Sequence, residues 1–202
     1  MATETTARTI GYYDSHAQQF SGDTLEVEFS TFQDAFLGML PERPRVLDLG
    51  CGSGRDSRTF ALRGCDVVAV DGSASLCEIA EKVIGKPVTC ALFDEYEPEG
   101  LFDGVWACSS LLHVAKAELP ALIAKYAEHL VADGVFYLSF KYGDFEGMRN
   151  GRWFTDLDEA GIDEVLAKVP QLQIAKLSTS GDVRPGRQQE RWLNVFCRRV
   201  VG

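Results

Sequence analysis

The stretch from Arg45 to Leu62 constrains the chain most. A short apolar run, Arg45-Val46-Leu47-Asp48-Leu49, leads straight into Gly50-Cys51-Gly52-Ser53-Gly54, and Asp56 to Leu62 resumes as a helix. Strand, alternating glycines and helix in that order bring bare backbone close to a ligand at a helix N-terminus. Such a loop by itself is equally compatible with a tight turn of no further function. Three features narrow it. Asp48 stands two residues before the first glycine, where a carboxylate can meet an ammonium group but would repel a pyrophosphate. Asp71 closes the next β-branched run, about 20 residues on, where an acid can accept both hydroxyls of a ribose. Arg55 occupies the place of the third glycine of dinucleotide binders, which disfavours NAD and FAD.

The rest of the chain alternates strands with helices. Residues 1–40 are expected to be helical and amphipathic, with Phe29, Phe32, Phe36 and Leu40 three to four apart, closed by Pro41 and Pro44. Cys65 to Val70 reads as a second strand, and Ser73 as the N-cap of a helix through Ile84, ended by Gly85. Pro87 to Leu92 and Phe102 to Cys108 read as strands three and four. A helix from about Lys116 to Val131 follows, then an Asp133-Gly134 turn and a fifth strand, Val135 to Phe140. Asp156 to Lys168 is a further helix. Leu172 to Leu177 and Trp192 to Val200, with no helix between them, should pair antiparallel. The expected fold is α/β: a Rossmann-like, seven-stranded, mainly parallel sheet with an antiparallel final strand and helices on both faces. The division expected is an N-terminal helical lid, 1–40, on a single domain, 41–202. The Gly-, Ser- and Arg-rich loop Ser178 to Gln189 is the expected mobile piece.

Val46-Leu47-Asp48-Leu49-Gly50-Cys51-Gly52-Ser53-Gly54 resembles the first motif of class I S-adenosylmethionine-dependent methyltransferases, and Asp71 resembles their second, acidic motif. Phe93-Asp94 falls where that family flanks the adenine. Phe102 to Trp106 and Leu111-Leu112-His113 resemble its fourth-strand region, and Leu130 to Val135 its turn before strand five, with Ala132-Asp133 in place of the usual Pro-Gly. Arg55 adds a similarity to the tellurite- and thiopurine-type small-molecule enzymes. The resemblance implies S-adenosylmethionine as cofactor and S-adenosylhomocysteine as product. It places Tyr12, Asp48, Gly50, Cys51, Gly52, Gly54, Arg55, Asp71, Gly72, Phe93, Asp94 and Cys108 at the cofactor, with Tyr12-Tyr13-Asp14 as an entry segment closing over it.

Candidate catalytic residues are His113, whose ordinary pKa lies near neutrality, and Tyr13. Lys141, Tyr142, Arg152, Arg184, Arg187 and Arg191 are the candidate substrate-binding residues, because arginines clamp anions and aromatics wall planar ligands. Charge supports that choice. Residues 1–140 carry 10 basic and 21 acidic side chains, whereas residues 141–202 carry 10 and 9. An anionic or aromatic small molecule is therefore the expected acceptor, and a methyltransferase of RNA or protein, or a noncatalytic cofactor-binding module, the alternatives. The net charge of −10 argues against nucleic acid. No apolar run approaches the roughly 20 residues needed to span a membrane, and Met1 to Arg8 lacks the apolar core of a secretory signal. A cytoplasmic monomer or homodimer is expected. The six scattered cysteines read as reduced, with no metal site.

Overall fold

The computed structural model describes residues 3–184, 186–187 and 189–200. Met1 and Ala2 of the expected N-terminal helix, Pro185 and Gln188 of the last loop, and Val201 and Gly202 lie outside the described residues. Helix α1 runs Glu4–Thr24, and the Thr3 hydroxyl accepts the Thr6 N–H at its start. The expected single amphipathic stretch breaks after it. The Glu28 carboxylate takes the Ser30 N–H at 2.7 Å, and a separate helix, α2, spans Ser30–Leu37.

Strand β1 (Arg45–Leu49), helix α3 (Arg55–Leu62), strand β2 (Asp66–Asp71) and helix α4 (Ala74–Ile84) follow the sequence expectation to within a residue. Ser73 caps α4 by accepting the Leu76 N–H, and Gly85 ends it. Strand β3 shrinks to Thr89–Cys90. Pro87 has no N–H to offer, and the Val88 N–H goes to the Glu81 carboxylate at 3.1 Å instead of a ladder. Strand β4 is Phe102–Ala107, and one turn of 3₁₀ helix covers Leu111–His113. Helix α5 is Leu119–Glu128, shorter than expected, with Pro120 in its first turn. Strand β5 begins earlier than expected and runs Leu130–Lys141, absorbing the expected turn as an irregularity at Asp133 (φ +62°).

The hairpin β6 (Glu146–Arg149) and β7 (Arg152–Thr155) is additional to the expected elements. Its connection is Asn150-Gly151, with φ of +51° and +79°; two positive values in a two-residue loop are those of a type I′ turn. Helix α6 (Glu159–Leu166) and strands β8 (Leu172–Gly181) and β9 (Arg191–Arg199) complete the chain.

Seven strands form one sheet in the order β3-β2-β1-β4-β5-β9-β8. The pairs from β3 to β5 are parallel, and β9 lies antiparallel between β5 and β8. Side chains alternate across the sheet. Leu47, Leu49, Val105, Ala107, Phe136 and Leu138 pack under α5 and α6, whereas Val46, Trp106, Val135 and Tyr137 pack under α2 and α3. Trp106 stacks on Tyr137 at 4.0 Å between ring centroids. Burying each such side chain stabilises the sheet by roughly 1.5–3 kcal/mol, so it serves as a rigid platform. No helix among the described residues is long and apolar enough to cross a membrane.

Candidate cofactor and acceptor cleft

Strand order reverses between β1 and β4, and the chain leaves a crevice beyond the carboxyl ends of these strands, where open α/β sheets bind ligands. The crevice here is a cleft of about 660 Å³, roofed by Tyr12, Tyr13 and Phe20 of α1. That volume lies within the range of about 300–1,000 Å³ usual for small-molecule sites.

At one end the backbone is bare by necessity. Gly50 has φ +83°, and a Cβ on it would lie 2.4 Å from Ser110 Cβ and 3.3 Å from the Phe93 ring. The Gly52 N–H donates to Asp71 Oδ2 at 2.8 Å and the Ser73 N–H to Asp71 Oδ1 at 2.9 Å. These bonds tie the glycine loop to the tip of β2 and leave each carboxylate oxygen a further lone pair. Burial pushes the Asp71 pKa up, and the nearby Asp14 adds to the rise against the pull of the backbone N–H groups. Asp14 itself fixes α1 to α4, accepting the Ser73 hydroxyl at 2.6 Å and the Ser75 N–H at 3.2 Å. Ser110 is only 6% exposed and lines the cleft, yet its hydroxyl has no partner. A buried orphan hydroxyl costs free energy unless a ligand satisfies it.

Gly50, Cys51, Gly52, Arg55, Asp71, Gly72, Phe93, Cys108 and Tyr12 all line the cleft. Asp48, Gly54 and Asp94 do not. Gly54 faces α4, where an added Cβ would come within 3.2 Å of Ala80, and Asp94 is exposed on the surface. Arg55 is engaged bidentately by Asp56 (2.8 and 3.0 Å) and lies 4.5 Å over the Phe29 ring. Burial pushes the Cys108 thiol up to about 12.

Asp48 departs from expectation for a physical reason. It is 2% exposed, sits on the α2–α3 face of β1, and accepts the Ser57 hydroxyl at 2.6 Å. Burial, reinforced by the charge of Asp56, pushes its pKa up to about 8. Burial also acts on Asp56, but the Arg55 guanidinium and hydrogen bonds from Arg55, Trp106 and Gln33 outweigh it and hold that carboxyl low. Asp48 thus lies beneath the loop and outside the cleft lining, where burial favours its protonated form. A stability prediction follows. Asp48 binds its proton more tightly folded (about 8) than at its ordinary 3.8, so the folded state loses stability as pH rises through that window. Asp48→Asn removes the titration. Relative to the parent chain, the variant should gain on the order of a few kcal/mol between pH 4 and pH 8.5 in urea unfolding. A relative stability that stays flat or falls over that range would contradict it.

At the other end α1 meets the hairpin. His113 Nδ1 lies 2.6 Å from the Trp153 carbonyl, so it carries the proton; Nε2 therefore accepts the Tyr13 O–H at 2.8 Å. Burial drives the His113 pKa down to about 4 and raises that of Tyr13. The pair is neutral, and His113 holds the Tyr13 phenol in place rather than standing free as a base. Arg152 Nη1 donates to the Tyr13 oxygen at 3.3 Å, and the Trp153 N–H donates to Thr9 at 3.0 Å.

Of the candidate substrate-binding residues, Lys141, Arg152, Arg184 and Arg187 line the cleft. Tyr142 and Arg191 do not: Arg191 stacks 4.2 Å over the Tyr142 ring, whose hydroxyl donates to Glu159 at 2.7 Å. Lys141 pairs with Glu190, and Arg184 with Asp182 at 2.9 Å. Sequence reasoning missed Ser110, these two carboxylates, and Arg149 and Asn150 of the hairpin, all of which line the cleft. The Asn150-Gly151 dipeptide was the available signal for the hairpin. Among the described residues no group of three or more His, Cys, Asp or Glu side chains is arranged to hold a metal ion.

The model of the family described as "Methyltransferase domain" matches residues 46–134, the segment from β1 to the bend in β5. Residues 46–134, which hold the glycine loop and the acidic end of β2, are thus similar to a methyltransferase domain. Magnesium-protoporphyrin O-methyltransferase of Rhodobacter capsulatus is 32% identical over 120 residues, 55% of this chain and 53% of that one. The match thus spans about half the length of this relative. Two solved structures share the fold of this chain. One is the 1,6-didemethyltoxoflavin-N1-methyltransferase of Burkholderia thailandensis, with 1,6-didemethyltoxoflavin and S-adenosylhomocysteine bound (TM-score 0.75, 21% identity, 100% of this chain and 92% of that one). The other is the magnesium protoporphyrin IX methyltransferase of Synechocystis PCC 6803 with bound SAH (TM-score 0.72, 20% identity, 98% and 100%).

Proposed function

We propose that this protein transfers the methyl group of S-adenosylmethionine to a small acceptor held in the same cleft, leaving S-adenosylhomocysteine. The observation that carries the reading is the floor of the cleft. Gly50 has no room for a side chain, Asp71 presents a carboxylate braced by two backbone N–H groups, and the buried Ser110 hydroxyl waits for a partner. That set suits an adenosine whose ribose bonds Asp71 and whose chain passes over Gly50. The relatives named above act on small molecules by their names, which supports a small acceptor here.

S-adenosylmethionine, when bound, supplies a methyl group already activated on a sulfonium. The protein's part is then to hold and align. Asp71 and the loop amides orient the ribose, and Phe93 flanks the base. Tyr13, locked by His113, is a polar group at the acceptor end able to hydrogen-bond the attacking atom. Helix α1, residues 4–24, acts as the lid that excludes water, and the remainder forms one domain beneath it. A cytoplasmic monomer or homodimer without nucleic-acid or membrane partners goes with this reading.

Methyl-labelled S-adenosylmethionine incubated with the protein and a cell extract, split by size, tests it. Label is expected in the small-molecule fraction. Label confined to protein or RNA would replace the acceptor class, and none in any fraction would make the chain a binding module.

A further inference from the structure

Six cations line the cleft, and five have a carboxylate within reach: Arg55 on Asp56, Lys141 on Glu190, Arg149 on Asp156, Arg184 on Asp182, and Arg187 on Glu190 at 3.9 Å. Arg152 is the exception. Among the described residues no carboxylate lies within ion-pairing distance of it, and its Nε is buried without a partner. Its guanidinium sits 4.4 Å from the Tyr12 ring centroid, 5.1 Å from Phe154 and 5.5 Å from Tyr13. Ring faces and one 3.3 Å bond to Tyr13 replace only part of the hydration such a cation loses. A half-buried cation with no carboxylate partner is costly to keep. It stands at the start of β7, against Tyr12 and Tyr13 of α1.

We propose that Arg152 anchors a carboxylate of the methyl acceptor, with the rings of Tyr12, Tyr13 and Phe154 around an adjoining planar group. The inference rests on the methyltransferase reading of the cleft. A guanidinium matches a carboxylate in a planar, two-bond geometry. The substrate class is then a small aromatic carboxylic acid with a separate methylatable atom. The donor's own methionine moiety carries the same chemistry, so the test has an arm for each source.

Calorimetry on the full chain, with and without saturating S-adenosylhomocysteine, uses benzoate and benzamide as probes. Benzoate should bind the parent protein at least about tenfold more tightly than benzamide. Arg152→Gln should weaken benzoate about tenfold or more and leave benzamide and S-adenosylhomocysteine unchanged, with Arg152→Lys intermediate. No benzoate binding below about 10 mM, equal binding of the two probes, or an unaffected Arg152→Gln would overturn the proposal. In the second arm, Arg152→Gln is titrated with S-adenosylmethionine and its decarboxylated analogue. A loss confined to the carboxylated donor assigns Arg152 to the donor and removes the acceptor assignment. Failure of the parent protein to bind S-adenosylhomocysteine at all would instead sink the methyltransferase reading, while the benzoate titration without it still reads out Arg152.

Discussion

Asp71→Asn is expected to weaken S-adenosylhomocysteine binding by about a hundredfold, because hydrogen bonds to a charged acceptor contribute roughly 1.5–3 kcal/mol each. The ribose hydroxyls would each lose a charge-assisted partner, and the amide can turn only one oxygen toward the site. The same change disturbs the loop, since Asp71 also accepts the Gly52 and Ser73 N–H groups. A buried N–H left facing an amide NH₂ costs about 1–3 kcal/mol. Affinity is therefore measured well below the unfolding temperature, alongside a urea titration of stability. A variant that binds within about threefold of the parent would mean that Asp71 is only a brace for the loop.

Gly50→Ala should be damaging twice over. At φ +83° a Cβ costs about 1–2 kcal/mol, and overpacking against Ser110 Cβ at 2.4 Å adds roughly 1–3 kcal/mol. The expected loss of stability is about 2–5 kcal/mol, with cofactor binding abolished because the new methyl stands on the cleft floor. Adding Ser110→Gly removes the atom that the methyl meets. The double variant should recover the packing part and keep the backbone part, a non-additivity that denaturant unfolding can read. Additive losses would show that the contact with Ser110 is not what makes glycine necessary.

Much of the fold was legible because its central strands are buried on both faces and its helices carry their own punctuation. Val46 to Leu49, apolar but for Asp48, and Val67 to Val70 end within one residue of the observed strands. Ser73 and Gly85 bound α4 as their chemistry demands. Boundaries failed where tertiary hydrogen bonds overrode local preference, as at Val88, whose N–H is taken by Glu81. The hairpin went unread although Asn150-Gly151 marks it.

The site was legible in kind but not in pairing. Strand parity puts Asp48 on the face of Val46, toward Ser57 and Asp56, and thus under the loop. The arginines of the C-terminal third were visible as charge. Which of them Asp182, Glu190 and Asp156 neutralise depends on the β6–β7 hairpin and the β8–β9 connection, which no spacing in the sequence reveals. Only the folded chain singles out Arg152. Tyr13 and His113 lie 100 residues apart in the chain, and the structure joins them by one hydrogen bond.

Titration of the purified chain with S-adenosylhomocysteine in a calorimeter, with NADH as the comparison, tests the central claim most directly. The cleft built on Gly50, Asp71 and Ser110 predicts saturable one-site binding of S-adenosylhomocysteine, weakened about a hundredfold in Asp71→Asn, and no binding of NADH. Absence of binding at up to about 1 mM, or equal binding of NADH, would contradict it.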